Sequence, residues 1–150
     1  MKPLIKPVEI LLVEDNLGDI DLTREALKNG KLCNNLHVVR DGEAAMDFLR
    51  RKGEYAGVPR PGLVILDLSL PKKDGREVLA EMKSDKDLKS IPVAILTSSK
   101  SEEDILNSYK LHANCFITKP IELGQFIKVV QAIEEFWLTI VRLPSNGAKK

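Results

Sequence analysis

The feature that most limits what this chain can become is a series of short apolar runs, each separated from the next by a stretch with helical periodicity. Val8-Glu9-Ile10-Leu11-Leu12-Val13 is the first run, and Leu36-His37-Val38-Val39 is a second, shorter one. Leu63-Val64-Ile65-Leu66 follows Pro61-Gly62, Pro92-Val93-Ala94-Ile95-Leu96 comes fourth, and Cys115-Phe116-Ile117-Thr118 is the fifth. Short apolar runs rich in β-branched residues and bounded by turn formers read as strands buried on both faces. A proline at the start of a strand is tolerated because its missing N–H costs no ladder bond there. Between the runs, Ile20, Thr23, Ala26 and Leu27 recur at helical spacing ahead of Asn29-Gly30, a helix stop. Ala45, Phe48 and Leu49 follow Asp41, which suits a helix cap, and Val78, Leu79 and Met82 share one helical face. Ser101-Glu102-Glu103-Asp104 has the form of a capping box, with Asp for the usual Glu, ahead of Ile105 and Tyr109. Phe126, Ile127, Val130, Ile133, Phe136 and Trp137 mark a last helix.

Strands alternating with helices predict an α/β fold: a parallel sheet with helices on both faces. Right-handed crossovers leave few topologies, and the common five-stranded answer is a flavodoxin-like, doubly wound (βα)5 sheet of order 2-1-3-4-5. At 150 residues the chain suits one domain, residues 1–150. The core is expected over about residues 8–140, with the tail from Leu143 to Lys150 frayed and Arg50 to Arg60 forming a long surface loop. An apolar share of 43% beside a charged share of 30% is that of an ordinary soluble globular protein. A net charge of +1 gives no support to a nucleic-acid partner, which needs a strongly basic face. The N-terminus lacks the apolar core of a secretory signal, and no stretch approaches the ~20 apolar residues of a membrane span. Cys33 and Cys115 lack metal-site spacing, so a reduced, cytoplasmic chain without a membrane partner is the simplest expectation.

In an open parallel sheet, sites form outside the carboxyl ends of the strands. The first strand is followed by Glu14-Asp15, the third ends in Asp67, the fourth in Thr97 and the fifth in Thr118-Lys119-Pro120. Glu14, Asp15, Asp67, Thr97 and Lys119 are therefore expected to converge at one edge. Three carboxylates gathered there would repel one another and need a positive partner. An oxygen-rich, histidine-poor cluster suits Mg²⁺, and Lys119 and the Thr97 hydroxyl add a point charge and a donor. Together these are the parts of a phosphoryl site: a carboxylate nucleophile, for which Asp67 is the best candidate, a metal, and two groups for the phosphoryl oxygens. Singly, each has an ordinary explanation, since an acidic pair serves as a solvated turn, a threonine as a cap and Lys-Pro as a loop. Their coincidence on successive strands carries the reading.

Val13-Glu14-Asp15-Asn16, Leu66-Asp67-Leu68-Ser69-Leu70-Pro71, Asp74-Gly75, Leu96-Thr97-Ser98 and Thr118-Lys119-Pro120 together resemble the motif set of receiver domains of two-component response regulators, over nearly the entire chain. The resemblance implies that Asp67 is the phosphorylated aspartate. It also implies that Glu14, Asp15, Asp67 and the backbone carbonyl of Ser69 hold Mg²⁺, and that Thr97 and Lys119 grip the phosphoryl group. Thr97 and the aromatic Phe116 would form the switch that reshapes the face made by the fourth helix, fifth strand and fifth helix. The Lys119–Pro120 bond is expected to be cis. Leu66 to Leu79, Asn107 to His112 and Glu134 to Leu138 further resemble small single-domain response regulators paired with bacterial phytochromes, commonly homodimeric. That implies a phytochrome-type sensor histidine kinase as donor. It also implies signalling by altered protein contacts and catalysis only of the chain's own phosphorylation and dephosphorylation.

Two positions depart from many relatives: Ser98 stands where a smaller residue is common, and Phe116 lacks a tyrosine hydroxyl. Phe136 and Trp137, with Ile140, either complete the core or form a dimer stripe. Lys72 and Lys73 either guide an acidic kinase surface or are simply solvated. His37 and His112 are too few and too far apart for a metal site. A haloacid-dehalogenase-type phosphatase would need a second Asp two residues after Asp67, where Ser69 stands. A pseudo-receiver would not keep the full set of site residues. A nucleotide-binding reading lacks a glycine-rich loop after the first strand.

Overall fold

The computed structural model describes residues 8–29, 34–97, 115–119 and 124. Strand β1 (Val8–Val13) leads into helix α1 (Leu17–Asn29), followed by β2 (Asn34–Val39) and α2 (Gly42–Leu49). After a single 3-10 turn (Gly53–Tyr55) come β3 (Leu63–Asp67), α3 (Gly75–Ser84), β4 (Val93–Thr97) and β5 (Cys115–Thr118). All four strand pairings are parallel and the order is β2-β1-β3-β4-β5, the doubly wound topology that the alternation of runs implies. No described helix is long and apolar enough to cross a membrane.

Successive strand residues point to opposite faces, and each central strand divides between two cores. Leu11, Val13, Val64, Leu66, Val93 and Ile95 pack with Met46 and Phe48 of α2 and Val78, Leu79 and Met82 of α3. Ile10, Leu12, Leu63, Ile65, Ala94, Leu96 and Ile117 pack with Ile20, Ala26 and Leu27 of α1. All five residues of β3 and of β4 are buried, which explains why these strands run apolar, rather than alternating, up to the polar residue that ends each of them.

The helix starts are capped by short polar side chains. Asn16 Oδ1 accepts the Asp19 N–H at 2.9 Å, and Asp41 Oδ1 accepts that of Ala44 at 2.8 Å. Asp74 and Glu77 form a full capping box on α3. Gly75 and Gly42 are fixed by close approach. A Cβ on Gly75 would lie 2.6 Å from Leu68 Cα, and one on Gly42 would lie 2.6 Å from the Lys73 carbonyl carbon. The loop after Asp67 is thus clamped between the starts of α2 and α3.

One expectation needs correction and another is refined. The second strand starts at Asn34, two residues before its apolar run, because β1 offers it a ladder from Val8 onward and Asn35 Nδ2 bonds Glu9 Oε2 at 3.0 Å. Propensity alone does not anticipate asparagines in a strand. The segment from Arg50 to Arg60 is more than a surface loop. Tyr55 and Val58 pack against the core under α2, and Arg60 bonds the Asp87 carbonyl at 2.6 Å and Ser90 Oγ at 3.0 Å. The segments expected to form the fourth and fifth helices (save Gly124), with Gly30, Cys33, Ser98, His112, Pro120, Phe136, Trp137, Ile140 and the tail, lie outside the described residues.

Candidate functional site

The carboxyl edge of the sheet brings the predicted residues together. Glu14 follows β1 directly, and its N–H bonds the Val39 carbonyl at 3.1 Å, which keeps it in line with the sheet. Asp67 ends β3, and its Oδ1 accepts the Ser69 N–H at 3.0 Å, so the chain turns sharply away and leaves the other oxygen facing the edge. Carboxylate oxygens of Glu14, Asp15 and Asp67 lie within 4.8 Å of one another, the one such acidic or His/Cys cluster among the described residues. Glu14 is fully buried and Asp67 nearly so.

Lys119 Nζ sits at the centre of the cluster, 2.9 Å from Glu14 Oε1, 2.8 Å from Asp67 Oδ2 and 3.0 Å from Asp19 Oδ2. Its backbone N–H donates to the Thr97 carbonyl at 2.7 Å, tying the end of β5 to β4. Thr97 lies one residue beyond Leu96, the register partner of Asp67. Its hydroxyl is buried and has no hydrogen-bond partner among the described residues. Phe116 pairs with Ile95 and is half-buried against the core on the α2–α3 side of the sheet.

Asp19 is the residue of this cluster that the sequence does not single out. It stands in the first turn of α1, where an acidic residue is ordinarily a helix-end charge. Its partner is 100 residues away in the chain. Lys72 and Lys73 point elsewhere: Lys72, at φ 65°, lies 3.7 Å from Asp41, and Lys73 pairs with Glu81.

The electrostatics follow from burial and like charge. Burial, reinforced by the hydrogen bond and charge of Asp67, pushes the Glu14 carboxyl up to about 7, against the opposing pull of Lys119 and the Asn16 N–H. Burial alone would lower Lys119, but its ion pairs with Asp67, Glu14 and Asp19 outweigh that and hold it well above its ordinary value. A site of hard oxygen donors in which a buried carboxylate resists ionisation fits a hard divalent cation, because the added charge removes the repulsion.

Residues 10–131 match the response regulator receiver domain family. Response regulator Rcp1 of Synechocystis sp. is 54% identical over 139 residues, which cover 93% of this chain and 95% of Rcp1. The crystal structure of the phosphorylated cyanobacterial phytochrome response regulator RcpA is 56% identical with a TM-score of 0.73, covering 89% of this chain and 95% of that one. The bacteriophytochrome response regulator AtBRR is 45% identical with a TM-score of 0.81, covering 89% and 96%. A structure of Rcp1 in its Mn²⁺-bound form is 54% identical with a TM-score of 0.71, covering 89% and 96%. The chain belongs to the response regulator receiver domain family and is closely similar to phytochrome response regulators.

Proposed function

We propose that this receiver is the phospho-acceptor of a light-sensing relay, with Asp67 taking a phosphoryl group from a phosphohistidine of a phytochrome-type sensor kinase. The observation that carries the proposal is the setting of Asp67: a buried carboxylate at the end of the central strand, inside the acidic trio and 2.8 Å from Lys119 Nζ. An Asp67 oxygen attacks phosphorus, the P–N bond to the kinase imidazole breaks, and the electron pair leaves with the nitrogen. The Lys119 ammonium neutralises charge on the incoming group. The Thr97 hydroxyl, which has no partner among the described residues, supplies a donor that a phosphoryl oxygen on Asp67 would satisfy.

Glu14, Asp15, Asp67 and the Ser69 carbonyl would hold Mg²⁺. Bound there, the ion would neutralise the phosphoryl oxygens. The relatives RcpA and Rcp1 support both halves of the reading, one as a phosphorylated phytochrome response regulator and the other as a Mn²⁺-bound protein. Thr97 and Phe116 would relay the change to a protein-binding face that also forms a homodimer through the fourth helix, β5 and the fifth helix, with Phe136 and Trp137 in the seam. A cytoplasmic chain, apart from membrane and nucleic acid, goes with this role.

The test is incubation with Mg²⁺ and phosphorylated kinase or acetyl phosphate, read by intact mass. Wild type should gain one phosphoryl group and Asp67→Asn none; labelling of Asp67→Asn would refute the assignment. Trp137→Ala and Phe136→Ala with an unchanged dimer mass would remove the proposed seam.

A further inference from the structure

We propose that Asp19 is a positioning residue for Lys119, holding the ammonium beside the site when a divalent cation takes up Glu14 and Asp67; this rests on the reading of the site given above. An ammonium has three N–H donors. Lys119 spreads its contacts over three carboxylates at 2.8–3.0 Å, those of Glu14, Asp19 and Asp67. Glu14 and Asp67 belong to the acidic trio, whereas Asp19 lies outside it. Lysine and metal therefore compete for the same two carboxylates. A cation seated in the trio also repels the ammonium, and among the described residues the one anionic contact left to it is Asp19.

Asp19 is built to serve as that anchor. Its N–H bonds Asn16 Oδ1 at 2.9 Å, and its carbonyl accepts the Thr23 hydroxyl at 2.8 Å. Thr23 and Ile20 are both buried beneath it, so the base of the carboxylate is fixed to the sheet. The N-terminal end of α1 favours a negative charge in this turn. Lys119 is tied at its backbone to the Thr97 carbonyl, and its long side chain is held at its tip by these three carboxylates. Without the Asp19 charge, the ammonium has only metal ligands to pair with and becomes a stronger competitor for them.

The test is calorimetric Mg²⁺ titration of wild type, Asp19→Asn, Asp19→Glu, Lys119→Met and the Asp19→Asn/Lys119→Met double variant. Asp19→Asn should weaken Mg²⁺ binding about tenfold, the low end for losing a group that orients a metal site. Asp19→Glu should restore affinity to within about threefold, and Lys119→Met should tighten binding by removing the competitor. In the Lys119→Met background, the Asp19→Asn loss should shrink to about threefold or less, because only its through-space charge remains. Equal losses in the two backgrounds, an Asp19→Glu chain as weak as Asp19→Asn, or no loss in Asp19→Asn would each overturn the proposal. A wild type that binds no Mg²⁺ defeats the reading of the site and this inference with it. A wild type that binds while Asp19→Asn binds equally defeats the inference alone.

Discussion

Replacing Glu14 by Gln in the metal-free protein should abolish most of a pH-dependent loss of stability. Glu14 is fully buried, and its carboxyl is pushed from its ordinary 4.5 up to about 7 by burial and by Asp67. Between those two values the folded chain binds more protons at this site than the unfolded chain does, so stability falls as pH rises. The contribution is intact below about 4.5 and fully lost above about 7. At about 1.4 kcal/mol per pH unit across that window, the ionised carboxylate disfavours the fold by about 3 kcal/mol at pH 8. From pH 5 to pH 8 the loss traceable to Glu14 is about 2 kcal/mol. Gln keeps the shape and can accept the Asn16 N–H that Glu14 Oε2 takes at 3.2 Å. It does not titrate. The assay is urea denaturation of both proteins in EDTA at pH 5, 6, 7 and 8, with the difference between them isolating this residue from other titrating groups. Mg²⁺ should reverse the trend in wild type, because the ligands must be ionised to bind it. If wild type and Glu14→Gln lose the same stability between pH 5 and 8, Glu14 is not held protonated by its surroundings and the electrostatic account of the site is wrong.

Gly42→Ala should destabilise the fold by about 1–3 kcal/mol, the usual cost of overpacking, because its Cβ would drive into the Lys73 backbone. The same change should weaken Mg²⁺ binding by displacing the loop after Asp67, as calorimetry would show. Thr97→Val should stabilise the unphosphorylated chain by about 1 kcal/mol in urea, since it removes a buried hydroxyl with no partner among the described residues. It should also shorten the lifetime of the phosphorylated form, followed by mass over time. Arg51 follows the end of α2 at φ 55°, with its N–H on the Phe48 carbonyl and that of Lys52 on the Asp47 carbonyl. Arg51→Gly should therefore raise stability by about 0.5–1 kcal/mol, relief of left-handed strain exceeding the entropy cost of glycine.

Much of this molecule is legible along the chain because the relevant physics is local. Strands and helices announce themselves through the spacing of apolar residues, and parallel order with right-handed crossovers then leaves one common arrangement. Since that arrangement opens at the carboxyl ends of its strands, Glu14, Asp15 and Asp67 could be expected to meet, and their carboxylates do lie within 4.8 Å. The motifs around them are contiguous short stretches, so the family is legible too. What only the tertiary structure decides are contacts between residues far apart in sequence whose types have ordinary local explanations. Asp19 reads as a helix-end charge until Lys119 arrives from 100 residues away. Gly42 reads as part of a turn until α2 closes on the Lys73 backbone. Asn34 and Asn35 read as loop until β1 offers them a ladder. The protonation of Glu14 is likewise absent from its own residue type. It arises only when folding strips water from the carboxyl and sets it beside Asp67, against the opposing pull of Lys119, because the energy of a charge is a property of its surroundings.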